Sequence, residues 1–195
     1  MNVEIYVEGA GNPILVRQCR RAFKSLFERA GMTGRLPSVI PCGGRDRAYR
    51  DFVHAPRRAD LRVLLLVDSE ESMLAASKWG HVAKRVGDSW ACPPAATEDH
   101  LHFMAQSMES WLIADRQMLK RYFGTGFREN ALPRNPNIEA IPKVDVSNGL
   151  KAATKGSLKG EYDKGRDSFE LLAMLDPEAL GNLRLAQSLL AAVRA

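Results

Sequence analysis

Apolar and polar positions along this chain follow two rhythms, and the switches between them outline an α/β protein. Val3, Ile5, Tyr6 and Val7 form a short apolar run interrupted only by Glu4, the pattern of a strand. Asn12-Pro13 then offers an N-cap followed by proline at the first helical position, and Ile14 to Ala30 carries apolar residues at helical spacing up to Gly31. Leu15, Cys19, Ala22, Phe23, Leu26 and Phe27 make one face of that helix, while Arg17, Arg20, Arg21 and Lys24 make a basic stripe on another. Ser38 to Cys42 reads as a second strand, Gly43-Gly44 as a turn and Arg45 to His54 as a second helix. Leu61 to Val67 is nearly continuous Leu and Val, which predicts a strand covered on both faces and therefore central in a parallel sheet.

The acids of Ser69-Glu70-Glu71-Ser72 suit a first helical turn, where the helix dipole favours negative charge, so a helix is expected after Asp68. Trp79 to Thr97, with Gly80, Gly87, Pro93 and Pro94, reads as an irregular excursion before a fourth strand over His100 to Gln106. Met108 to Phe123 has the spacing of one amphipathic helix. Pro133, Pro136 and Pro142 then punctuate a loop, followed by a helix over Val144 to Thr154 and a Gly- and Lys-rich stretch from Lys155 to Gly165. Two helices, near Ser168 to Leu175 and Pro177 to Val193, close the chain. The expected fold is α/β: an open, mainly parallel four-stranded sheet with helices on both faces over residues 1–123. A basic loop and helical C-terminal extension over 124–195 packs on it as one compact unit.

Composition narrows the class. The 195 residues suffice for one ordinary domain, and 45% hydrophobic with 26% charged residues is a globular balance. No apolar stretch approaches the roughly 20 residues that span a bilayer, so no membrane partner is expected. The start of the chain carries Glu4 and Glu8 instead of a basic, then long apolar, secretory signal, and the cytoplasm is the expected compartment. Cys19, Cys42 and Cys92 are odd in number and far apart, which suits free thiols in a reducing environment. The net charge of +5 is uneven: Arg116 to Arg166 holds eleven Lys and Arg against five Asp and Glu, a local balance of +6. That window points to a phosphate-rich partner, with Arg116, Lys120, Arg121, Lys151, Lys155, Lys159 and Arg166 as candidate nucleic-acid contacts. The plainer alternative is a solvated surface.

The candidate chemistry lies in four carboxylates. Glu8 follows the first strand, Asp68 and Glu70 follow the third, and Glu109 follows the fourth. In an open parallel sheet the carboxyl ends of the strands converge on one edge, so these acids can meet around one divalent cation. Magnesium or manganese held by hard oxygen ligands is the layout of phosphoryl transfer. The competing reading is that Glu8 and Asp68 merely cap helices. Gly9-Ala10-Gly11 lacks the third glycine of a dinucleotide fingerprint, position 14 being Ile14. No Gly-x-x-x-x-Gly-Lys-Ser/Thr loop is present, so any ATP hydrolysis belongs to a partner protein. His100, His102 and Cys92 do not form a recognised zinc ligand set.

Val7-Glu8-Gly9, Leu66-Val67-Asp68-Ser69-Glu70, Met108-Glu109-Ser110-Trp111-Leu112 and Tyr162-Asp163-Lys164-Gly165 together resemble the Toprim-related family called domain of unknown function 4276. The chain is more distantly similar to RloB-like proteins and to the Toprim nuclease domains of overcoming-lysogenization-defect proteins. The resemblance implies a Toprim-like fold, a magnesium- or manganese-dependent nuclease, and a role in phage defence beside an ATPase partner. It makes Glu8 the base or a metal ligand and Asp68 the first ligand of an Asp-x-Asp step. Glu70, a further metal ligand, departs from that step by one methylene, so that it binds the metal either directly or through a water. Glu109 completes the acid cluster, and Lys164 neutralises charge developing on phosphate; its alternative is a solvated loop lysine. Two further readings stay open: a non-catalytic Toprim-like binding or sensor subunit, and phosphoryl transfer on a small nucleotide.

Overall fold

The computed structural model describes residues 1–195. Four strands, β1 (Asn2–Val7), β2 (Ser38–Pro41), β3 (Leu61–Asp68) and β4 (Leu101–Met104), form one parallel sheet in the order β2-β1-β3-β4. The fold is therefore α/β with an open parallel sheet. After β1 the chain moves outward to β2 and then crosses back over β1 to β3, so the crossovers diverge between β1 and β3. At such a switch point the carboxyl ends of two neighbouring strands open a crevice.

Eight helices cover the sheet: α1 (Pro13–Arg29), α2 (Arg45–His54), α3 (Lys78–Lys84), α4 (Met108–Ala114), α5 (Arg116–Phe123), α6 (Lys143–Thr154), α7 (Lys164–Met174) and α8 (Arg184–Arg194). On one face Ile5, Val7, Leu64 and Leu66 pack with Phe23 and Phe27 of α1 and with apolar residues of α4 to α8. On the other Tyr6, Val63, Leu65 and Val67 pack with Phe52 of α2 and with Trp79, Val82 and Trp90. The unbroken Leu/Val run of β3 is thus explained, since both of its faces are buried. α1 begins where expected, the Asn12 side chain accepting from the amides of Ile14 and Leu15 at 3.0 and 2.9 Å.

Several local expectations are corrected. No helix starts at Ser69: Glu70 sits at φ 69°, in the left-handed region that a right-handed helix excludes, and the helix of this segment is α3, inside the stretch read as irregular. Met108 to Phe123 is two helices, because Asp115 leaves helical geometry to cap α5 through the Met118 amide at 2.8 Å. Its other oxygen accepts the Asp176 amide at 3.1 Å, so a tertiary contact holds the break open. α7 starts at Lys164, four residues before Ser168, with Asp163 capping it at the Arg166 amide. The last segment is a 3-10 turn over Pro177–Leu180 and then α8, and His100 lies in a 3-10 turn ahead of β4.

α7 packs along α1, α6 packs on α4, and α8 lies against β4. Residues beyond Phe123 therefore share the core of the sheet, with Leu150, Leu171, Leu172 and Leu189 buried in the same cluster as Ile5 and Leu66. The packing of α7 on α1 carries Lys164 to the carboxyl edge of the sheet.

Candidate metal centre

Glu8 is placed by an extension of the β1–β3 ladder: its amide donates to the Leu66 carbonyl at 3.0 Å. The next residue, Gly9, has φ 121°, a conformation that L side chains rarely adopt. It exchanges two backbone hydrogen bonds with Gly43, at 2.7 and 2.9 Å, which locks the turn after β1 to the turn after β2. Asp68 ends β3 and is buried. Beyond it the ladder to β4 continues, with Ser69 donating to Met104 at 3.0 Å and Glu70 to Gln106 at 2.8 Å. The left-handed backbone at Glu70 brings the two acids of the Asp-x-Glu step to one side.

One carboxylate oxygen each from Glu8, Asp68 and Glu70 lies within 4.8 Å of the other two. Each acid also commits one oxygen to the protein. Glu8 Oε2 accepts from the Asp68 amide at 3.2 Å and from Arg45 at 3.2 Å, Asp68 Oδ1 from the Met108 amide at 3.0 Å, and Glu70 Oε2 from Lys143 Nζ at 2.7 Å. The second oxygen of each takes no hydrogen bond from a protein group. Three hard oxygens this close together are the donor set that Mg2+ or Mn2+ favours, so these residues fit a divalent cation.

The electrostatics of the centre agree with that fit. Burial, reinforced by the neighbouring Glu8, pushes the Asp68 carboxyl up to about 8 against the pull of Lys164. Burial likewise raises Glu8, opposed by Arg45. A buried and a half-buried acid that ionise reluctantly gain most from a nearby cation. Asp68 does act as a helix cap, but for α4, forty residues away, and Glu8 caps no helix.

The sequence model of the family described as Domain of unknown function (DUF4276) matches residues 7–193. The chain belongs to this family. No curated protein matches it, and no solved structure matches it. The DUF4276 description names no activity.

In this DUF4276 protein the structure does not bring Glu109 into the three-acid group. Glu109 is buried in the first turn of α4, where its Oε1 lies 3.2 Å from Lys164 Nζ and accepts the Tyr162 hydroxyl at 3.1 Å. Burial pushes its pKa up, but the Lys164 ammonium, its backbone amide and the Ser107 hydroxyl outweigh that and hold it below the usual carboxylate value. Lys164 is a helix-start residue on the wall of the cavity that Glu8 and Asp68 also line. Among the basic candidates, Lys120, Arg121, Lys151 and Lys155 are exposed and form no ion pair. Lys159 stacks on the Tyr122 ring, 3.7 Å from its centroid. Arg116 is tied to the Pro133 carbonyl at 2.6 Å, and Arg166 grips buried Asp167 through two bonds of 2.7 and 2.8 Å.

Sequence reasoning missed two groups. Arg45, at the start of α2, donates to Glu8 and to the Asp68 carbonyl, clasps Asp88 at 2.8 and 2.7 Å, and lies over the Trp90 ring. Gly43-Gly44 directly ahead of it was the available signal, since a glycine turn past a parallel strand delivers the next residue to the carboxyl edge. Lys143 pairs with Glu70 from the other half of the chain, and no local pattern marks it.

Proposed function

We propose that this protein is a divalent-metal-dependent phosphodiesterase that cleaves nucleic acid. The observation that carries the reading is the meeting of Glu8, Asp68 and Glu70 within 4.8 Å at the sheet's switch point, beside the Lys164 ammonium. Bound there, the cation supplies Lewis-acid stabilisation of charge on a phosphate. Asp68 and Glu70 hold it, and the raised pKa of Glu8 suits its uncommitted Oε1 to take a proton from an attacking water. Lys164, whose pKa is raised by the neighbouring Glu109, Asp68 and Glu8 against partial desolvation, stays protonated and offers its ammonium to a phosphate oxygen. Lys120, Arg121, Lys151 and Lys155 supply exposed charge for the backbone of the strand. The likeness to RloB-like and overcoming-lysogenization-defect proteins adds an ATPase partner and a place in phage defence.

Nuclease assays with Mg2+ or Mn2+ test this, comparing wild type with Asp68→Ala and Glu8→Gln. Loss of cleavage in both supports it; unchanged cleavage in both removes it.

One observation favours a second reading, a non-catalytic binding or sensor subunit. Arg45 pairs with Glu8 and Lys143 with Glu70, so two of the three acids are already neutralised from within the protein. Titration of Mg2+ by calorimetry separates the two, because a self-neutralised structural cluster takes up no cation.

A further inference from the structure

Next to the acids, and continuous with them, lies a cavity of about 210 Å³. Glu8, Asp68 and Lys164 contribute polar groups to its lining, and Leu15, Met104 and Phe169 contribute apolar ones. Phe169, half-buried on α7, brings the tip of its ring beside the backbone next to the acid: a Cβ placed on Gly9 would lie 3.8 Å from Phe169 Cζ. A cavity with an acidic, cation-loving end, an ammonium and an apolar aromatic wall matches a ligand with an anionic end and a flat apolar body. Its size supports the same choice. A cavity of about 150 Å³ accommodates benzene, so this one takes a single heterocycle and is too small for an acyl chain.

We infer that this cavity receives the base of the nucleotide adjoining the scissile phosphate, so that the substrate is an unpaired strand or strand end and not an intact duplex. The inference rests on the phosphodiesterase reading above and specifies its substrate. A base stacked within a duplex has both faces covered and cannot enter a walled cavity unless it is extruded. An unpaired base can stack on Phe169 while its phosphate lies against Lys164 and the acids, and aromatic stacking of this kind tolerates any base identity. Phe169 and Leu15 are then specificity-determining residues.

The test uses the whole protein with Mg2+ and two probes, AMP and ribose phosphate, measured by calorimetry, together with cleavage of one oligonucleotide as a single strand and as a blunt duplex. AMP is expected to bind roughly tenfold or more tighter than ribose phosphate, the size of one base–aromatic contact. Phe169→Ala, which removes the wall, and Leu15→Trp, which fills the cavity without deleting core, are each expected to erase that preference. Single strand is expected to be cut in preference to duplex. Equal affinity for the two probes, or a preference unchanged in both variants, overturns the inference. Metal-dependent cutting of strand and duplex at equal rates overturns it while leaving the phosphodiesterase reading intact. Base-selective binding without cleavage of any strand supports the cavity's role and removes that reading instead.

Discussion

The ammonium of Lys164 lies 3.2 Å from Oε1 of Glu109, tying the first residue of α7 to the first turn of α4. Glu109 is buried, with a side chain 6% exposed, whereas that of Lys164 is 59% exposed. The pair thus holds a buried anion with a cation that still reaches the cavity. Glu109 and Tyr162 are positioning residues for Lys164.

Lys164→Ala leaves the Glu109 carboxylate buried without its cation. The expected loss at neutral pH is about 1–3 kcal/mol. Because the native partners depress the pKa of Glu109, the stability they contribute is present above the ordinary carboxylate pKa and disappears as pH falls through the folded value. The gap between wild type and variant, read by urea denaturation, should therefore narrow in acid. A gap that widens below about pH 4 would contradict the assignment.

Asp68 carries the opposite sign. With its pKa raised to about 8, the cation-free protein is stabilised by a protonated Asp68, and that contribution is lost as pH rises from the unfolded value to about 8. In the presence of a chelator, wild type should lose stability relative to Asp68→Asn over this interval. Mg2+ should raise the melting temperature of wild type more at pH 8 than at pH 6 and leave the variant's unchanged. Melting curves over a pH series check both.

Arg45 holds the acids from beneath, its side chain 12% exposed and that of its partner Asp88 1% exposed. Arg45→Ala is expected to cost about 3 kcal/mol, the low end for breaking a buried ion pair, because Arg85 still reaches Asp88 at 2.8 Å. Arg45→Lys restores the charge without the planar fork and should recover only part of that loss. Chemical denaturation of the two variants decides between charge and geometry.

Lys143 competes with a cation for Glu70, at 2.7 Å from Oε2. Lys143→Ala is expected to tighten Mg2+ binding roughly two- to fivefold, the scale of an exposed ion pair. Calorimetric titration measures it, and weaker binding in the variant would place Lys143 in support of the metal instead.

No helix is long and apolar enough to cross a membrane.

Local pattern alone determined the four strands, the Asn12-capped start of α1, the span of α2 and the acids past β1 and β3. Each of these depends on residues a few positions apart, where side-chain periodicity and capping act. Glu8 and Asp68 were legible for the same reason, since the last residues of neighbouring parallel strands must share an edge. Only the tertiary structure decided the rest. The left-handed turn at Glu70 follows from its hydrogen bond to Gln106, and the break at Asp115 follows from its bond to Asp176, contacts with no signature in their own neighbourhood. Glu109 pairs with Lys164 and lies outside the three-acid group because α4 is almost wholly buried and α7 packs against it, which fixes its direction independently of its spacing. The arginine beside the centre, the lysine next to it and the aromatic wall of its cavity come from segments brought together by burial of the sheet's two faces, a non-directional force whose periodic trace marks each element's buried face but not which other segment packs there.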